Sequence, residues 1–343
     1  MDFEKLVAIY NRLQDDESKK LFSIMLKKNM SSSQMDYIPE LSVYCHNPII
    51  DDVFKKKLAK CDGIIVYGCG GDGRVSKDAL ERCGYRVDCF CDSNKKGIVV
   101  DGLEVINVLD AIKQYPNHLI CVCSTNYGMQ MYQNLLINHV DEKHIYIPPY
   151  GIIIGFNANQ YIDTFEAPTG GVLVDGGAFD GETAKLFMNW VGKGNYSKII
   201  CYEPEERQAQ NIKAKIIEEE LENVEVISAG LWDSTTELRF NSNSAGSAIS
   251  SSGNITIKCT TIDETIKEKV SFIKMDIEGA ELRALHGAKK TIMRDKPKMA
   301  ICIYHKKSDI YDIGSFFLDI WPDCKMKIRQ YSTFSWETVL YVE

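Results

Sequence analysis

One stretch constrains this chain more than any other: Val172-Leu173-Val174-Asp175-Gly176-Gly177-Ala178-Phe179-Asp180-Gly181-Glu182-Thr183. An apolar β-type run closes on a carboxylate, then passes through a turn with three glycines into a helical pattern that continues to Phe187. Strand, glycine turn and helix open a parallel α/β sheet, whose ligand crevice lies outside the carboxyl ends of the strands. Such a turn offers backbone N–H groups, a helix N-terminus and one acid, so a nucleotide-like ligand is expected. The candidate contacts are Asp175, Gly176, Gly177, Ala178, Phe179, Gly181 and Thr183.

A second acid narrows the ligand. The run Lys198 to Tyr202 reads as the next strand, with Glu203 at its end and Pro204 opening the following helix. A carboxylate closing the second strand accepts hydrogen bonds from both ribose hydroxyls, which points to an adenosine-type cofactor. The spacing Asp175-x-Gly177-x-x-x-Gly181 departs from the dinucleotide pattern, and an acid at its first position suits a cationic ligand. S-adenosylmethionine meets both demands, its ammonium at Asp175 and its ribose at Glu203. Ala229, Gly230 and Leu231, after the strand Val224 to Ile227, would border the adenine.

The second dense motif is Lys274-Met275-Asp276-Ile277-Glu278-Gly279-Ala280-Glu281. A strand ending at Asp276 puts Asp276 and Glu278 in the crevice where a transferred group must lie. Lys274 is two residues earlier, on the same strand face as Asp276, and is expected to hold the carboxylates in place. His305 tips the strand Met299 to Tyr304, so Asp276, Glu278, His305 and Lys274 are the catalytic candidates. A divalent ion held by Asp276 and Glu278 could lower the pKa of an acceptor hydroxyl. Lys325 to Tyr331 and Glu337 to Val342 read as an antiparallel hairpin closing the sheet, joined by Ser332 to Ser335.

With 343 residues, 45% of them hydrophobic, the chain is long enough for two cores. Residues 1–60 read as a helical arm, 61–150 as a first Rossmann-like domain, 151–170 as a linker and 171–343 as the second α/β domain. In the first domain, Gly68, Gly70, Gly71 and Gly73 follow the strand Ile64 to Tyr67 in a G-x-G-x-x-G pattern, and Asp92 ends the next strand. The net charge of −8 gives no electrostatic reason for a nucleic-acid partner. Neither a signal peptide nor a membrane span is legible, so a cytoplasmic protein is expected. The Ser/Gly/Asn-rich loop from Asn241 to Asn254 suits either a lid or flexible filler.

Two family resemblances follow from these residues. Tyr67 to Arg74, Gly84-Tyr85, Phe90 to Asp92 and Asp101 to Val105 resemble the nucleotide-sugar-binding domain of bacterial sugar acetyltransferases. Val174 to Gly177, Tyr202 to Pro204, Asn223 to Val226, Thr261 to Asp263 and Lys274 to Leu282 resemble the FkbM-type methyltransferase family. The second resemblance implies a class I methyltransferase sheet and S-adenosylmethionine-dependent O-methylation, often of sugar hydroxyls. It carries Asp175, Gly177 and Glu203 over as cofactor contacts. The expected partners are a small-molecule or glycan acceptor and, at the first domain, a sugar nucleotide, while homo-oligomerisation stays open. The alternative is a nucleotide-sugar-binding protein with a catalytically silent methyltransferase-like domain.

Overall fold

The computed structural model describes residues 2–31, 37, 40–41, 43–45, 52–124, 127–148, 159–242, 248–249, 252–332 and 336–343. The Thr333 to Ser335 part of the expected hairpin turn, much of the Asn241 to Asn254 loop, and the linker residues Gly151 and Gly155 lie outside them. The chain divides into two compact units. One comprises Met1–Tyr37, Ala158–Arg329 and Glu337–Glu343; the other comprises Ile38–Asn157 and Gln330–Trp336.

The expected arm is split between the units. Helices α1 (Phe3–Arg12) and α2 (Asp16–Met30) start at Asp2 and Asp15, whose carboxylates cap the N–H groups of Glu4 and Ser18. Both helices belong to the unit that holds the C-terminal sheet. Helix α3 (Asp52–Leu58) belongs to the other, because its buried Phe54 packs edge-on against Tyr85 and Tyr146.

That smaller unit runs β1 (Ile64–Tyr67), α4 (Gly71–Arg82), β2 (Cys89–Asp92), β3 (Ile98–Val100), β4 (Leu103–Asn107), α5 (Val108–Gln114), β5 (Leu119–Val122), α6 (Gly128–Ile137) and β6 (Ile145–Tyr146). Its sheet has the order β3-β4-β2-β1-β5-β6, parallel except for β3. β3 and β4 form a hairpin that turns at Asp101 and Gly102, both at positive φ. β1 and β5 are buried at every position, as a sheet covered on both faces requires.

The larger unit continues with β7 (Val172–Gly176), α7 (Glu182–Val191), β8 (Lys198–Tyr202), α8 (Glu206–Glu218), β9 (Val224–Ile227), β10 (Gly230–Leu231), β11 (Thr236–Asn241), β12 (Ala248–Ile249) and β13 (Ile255–Thr260). It ends with α9 (Ile262–Thr265), β14 (Val270–Met275), α10 (Glu281–His286), α11 (Lys289–Asp295), β15 (Lys298–Cys302), α12 (Asp309–Ile320), β16 (Met326–Gln330) and β17 (Thr338–Val342). The main sheet has the order β16-β17-β15-β14-β7-β8-β9. Its central strands are parallel, β17 runs antiparallel to β15, and Lys325 and Glu343 exchange both backbone hydrogen bonds across β16 and β17. The chain is therefore mixed α/β with two mostly parallel sheets, the second closed by antiparallel strands, as read from the sequence.

Three local features shape this unit. β10 to β13 form a separate four-stranded sheet between β9 and β14 in the chain. The helical stretch after Gly279 is divided into α10 and α11 at Gly287, where an added Cβ would sit 2.0 Å from the Trp232 carbonyl oxygen. Phe272 anchors the core beneath the sheet, with the rings of Phe187 and Trp190 edge-on at 5.0 and 5.1 Å.

The helices α1 and α2 complete that core. Ile9 is 1% exposed, and an added Cβ on Gly314 of α12 would lie 2.9 Å from its side chain, so glycine permits this close approach. Ser18 Oγ accepts the Ile328 N–H at 2.9 Å, and Arg329 forks onto the Asp15 carboxylate.

Asp309, at the first turn of α12, is 3% exposed. Burial raises its carboxyl to about 6, against the Lys306 N–H that it accepts at 2.7 Å. A raised folded-state pKa favours the protonated form, so this stability is fully present below about pH 4 and is lost as pH rises through about 6. Asp309→Asn can keep the Lys306 hydrogen bond. In urea unfolding it is expected to match the wild type near pH 4 and to exceed it by about 2–3 kcal/mol at pH 7, since each tenfold change in proton affinity is worth ~1.4 kcal/mol. Equal pH dependence of the two proteins would refute this assignment.

Candidate active site

The main sheet reverses its strand order between β7 and β14, and the candidate residues gather at the carboxyl ends of these neighbours. The parallel register sets Lys274 beside Asp175. Lys274 Nζ donates to Asp175 Oδ1 at 2.9 Å and to the Gly177 carbonyl at 2.7 Å, and it lies 5.1 Å from the centre of the Tyr161 ring. The sequence leads one to expect Lys274 to hold Asp276 and Glu278; its hydrogen-bond partner is Asp175 instead. The cause is geometric: side chains on one face of adjacent strands sit closer than the acids beyond a strand's end.

Asp175 is fully buried, and its Oδ2 has no hydrogen-bond partner. Burial pushes its carboxyl up, opposed by the Lys274 charge. Burial would lower Lys274, but Asp175 and then Asp276 outweigh it and hold the ammonium charged. Asp175 thus lies beneath the turn, braced by Lys274, with Oδ2 left unpartnered.

The glycine turn supplies shape more than donors. The N–H groups of Gly177 and Ala178 both go to the Tyr202 carbonyl at 3.1 Å, and that of Phe179 goes to Glu203 Oε2 at 3.0 Å. Gly177 sits at φ +79°, and a Cβ there would lie 2.0 Å from the Asp276 carbonyl oxygen. Gly181, at φ +78°, precedes α7. Leu231 is buried, with Cδ1 2.9 Å from where a Gly176 Cβ would lie, while Pro204 lies beside Gly230. Ala229 is buried, and Thr183 lies half-buried in the first turn of α7.

Glu203 is 7% exposed, and its Oε1 accepts the Glu205 N–H at 2.9 Å. Burial raises its carboxyl, against the backbone donors of Glu205 and Phe179. Each oxygen accepts one N–H and keeps a lone pair for a further donor. Both Glu203 oxygens can therefore still accept from donor hydroxyls.

On the other side of the switch point, Asp276 accepts hydrogen bonds from Tyr161 at 2.8 Å and Tyr304 at 3.2 Å. Glu278 is the most open acid of the group, with 37% of its side chain exposed and φ at +54°. Burial raises its carboxyl, against the His305 charge. Glu281 is fully buried, and its Oε1 accepts the Ile277 and Gly279 N–H groups. His305 faces all three acids: Nδ1 is 3.0 Å from Glu281, and Nε2 is 3.4 Å from Glu278 and 3.5 Å from Asp276. Burial would lower the imidazole, but Glu281 foremost, then Asp276 and Glu278, hold it at about 9.

Sequence reasoning missed three partners. Tyr161 and Gln160 lie in the segment read as a linker, and Glu337 immediately precedes β17. Tyr304 Oη also reaches Glu337 at 3.4 Å, while Gln160 donates to the other Glu337 oxygen at 2.7 Å. Burial and the nearby Asp276 charge raise the Glu337 carboxyl well above the usual carboxylate range. An acid opening a closing strand was the one available signal, and it gives no hint of its partners.

The smaller unit has its own cleft at the switch point between β1 and β5. Its volume is about 860 Å³, with Gly68, Gly70, Gly71 and Asp92 among its lining residues. Gly73 stands apart: its Cβ position is filled by the Gly68 carbonyl, so it serves the packing of α4 onto the turn. Asp92 caps its own loop by accepting the N–H groups of Asn94 and Lys95.

No curated protein matches the chain significantly. Among solved structures it resembles a methyltransferase FkbM from Methylobacillus flagellatus KT, at 18% identity over 91% of this chain and 99% of that one, with a TM-score of 0.50. This is a likeness of fold. More distant are an rRNA methylase from Streptococcus thermophilus, at 13% identity over 52% of this chain and 87% of that one (TM-score 0.35), and an O-methyltransferase from Bacillus cereus, at 11% over 62% and 88% (TM-score 0.33). The family resemblances read from the sequence hold in both units: residues 175–331 match the methyltransferase FkbM domain, and residues 63–124 match the PglD N-terminal domain.

Proposed function

We propose that the larger unit transfers a methyl group from S-adenosylmethionine to a hydroxyl of a sugar or glycan-linked acceptor. The observation that carries this reading is the pair of acid sets across one switch point, Glu203 ending β8 and Asp276 with Glu278 ending β14. S-adenosylmethionine supplies an electrophilic methyl group when bound. Glu203 accepts its ribose hydroxyls, the Phe179 turn and Leu231 enclose it, and Asp175 with Lys274 fixes the turn from behind. Glu278, the open carboxylate, takes the acceptor's proton. Asp276, held by two phenols, orients the hydroxyl for in-line attack. His305, within ion-pair distance of all three acids, steadies them.

The sugar class rests on the match of residues 63–124 and on the cleft beside Asp92, which would hold a sugar nucleotide. Twelve free thiols suit a reducing, cytoplasmic setting. Among the described residues no helix is long and apolar enough to cross a membrane.

Calorimetric titration with S-adenosylhomocysteine tests the cofactor assignment. Loss of two hydrogen bonds to a charged group costs about 3 kcal/mol, so Glu203→Ala is expected to bind about 100-fold more weakly than wild type. No binding by folded wild-type protein would favour a silent methyltransferase-like domain and a ligand at the smaller unit.

A further inference from the structure

Three carboxylates converge on one imidazole at the end of β14, and one buried oxygen among them is left unpartnered. Glu281 is fully buried on α10, yet its Oε2 has no hydrogen-bond partner. The His305 side chain is 9% exposed, and neither ring nitrogen makes an aligned hydrogen bond, although both stand within ion-pair distance of carboxylates. A buried polar atom left without a partner costs free energy, and two such side chains facing each other point to a missing ligand. One ligand atom each from Asp276, Glu281 and His305 lies within 4.8 Å of the others. Glu278, paired with Asp276 as the metal holder in the sequence reading, does not belong to this group.

We propose that Asp276, Glu281 and His305 form a binding site for one divalent first-row transition-metal ion. Ligand atoms at about 2.1 Å from a shared ion stand roughly 3–4 Å apart, so small side-chain rotations close the site. An imidazole nitrogen with two carboxylates selects zinc, cobalt or manganese over magnesium, which prefers an all-oxygen shell with several waters. The three residues come from fixed positions. Asp276 follows β14, Glu281 opens α10 with Oε1 anchored by two backbone N–H groups, and His305 follows β15. Glu278 stays beside the site as the open acid, where an ion would lower the pKa of a nearby hydroxyl. The proposal does not rest on the identity of the acceptor or on methyl transfer.

The test is cobalt(II) titration of the full-length protein after dialysis against chelator, followed by visible absorption and calorimetry. The expected result is one ion per chain, d–d bands of a nitrogen and oxygen site, and displacement by zinc. Glu281→Gln and His305→Gln, which keep size and hydrogen-bonding capacity, are each expected to weaken uptake at least 10-fold. Asp319→Asn, at the exposed pair with Lys5, is expected to leave it unchanged. Thermal melts establish that each variant is folded, and S-adenosylhomocysteine titration of the same samples reads the cofactor site separately. No uptake by folded wild type, uptake by both glutamine variants as tight as that of wild type, or binding of magnesium but not cobalt would each overturn the proposal.

Discussion

Lys274→Met is expected to lower the unfolding free energy by about 3–5 kcal/mol, the usual cost of removing one partner from a buried ion pair. Lys274 is 2% exposed and Asp175 fully buried, so water cannot replace the lost ammonium. The stranded Asp175 must then take up a proton or stay charged without a partner. Its folded-state pKa, already raised by burial, rises further once the cation is gone. The deficit is therefore expected to be largest at neutral and alkaline pH and to shrink as pH falls. A double variant, Lys274→Met with Asp175→Leu, removes both charges and should recover much of the loss. Urea unfolding of the three proteins at pH 5 and pH 8 checks the argument. A loss below about 1 kcal/mol at pH 8 would mean that the pair is not the buried brace described here.

The second large effect is expected from Gly177→Ala. The alanine must adopt φ +79° and place its Cβ within 2.0 Å of the Asp276 carbonyl oxygen. The dihedral alone costs about 1 kcal/mol, and the overlap forces the turn and the end of β14 apart. Asp276 belongs to the proposed catalytic acids, and a displacement of about 1 Å there can cost about 100-fold in rate. Methyl transfer is expected to fall at least 100-fold and the melting temperature by several degrees. Retention of full turnover by a folded variant would show that Asp276 need not be held against this turn.

The strands and the glycine turn were legible because their information is local. Val172 to Gly176 is apolar at its start and buried throughout, and the positive φ at Gly177 and Gly181 is what glycines in such a turn supply. The block from Lys274 to Glu281 was legible as a strand end carrying acids. The partner of Lys274 was not, because that depends on the register between β7 and β14, and spacing along one strand carries no information about its neighbour. Tyr161, Gln160 and Glu337 escaped for a similar reason. They reach the acids through packing between segments more than a hundred residues apart, with no periodicity to mark them. The split of the arm was hidden too, since α1 and α2 have ordinary amphipathic patterns and only their partners distinguish them from α3.

Leu13 at the end of α1 bridges to Met326 of β16, which is made more than three hundred residues later. At roughly 5–20 residues per second of synthesis, α1 emerges about 15–60 s before the strand it will meet. Ile38–Asn157 of the smaller unit is translated in that interval and can begin to fold while the first two helices still wait with their apolar faces unpaired. Such a chain is most vulnerable to aggregation and proteolysis during its own manufacture, and slowing the ribosome anywhere between α2 and β16 would lengthen that exposure.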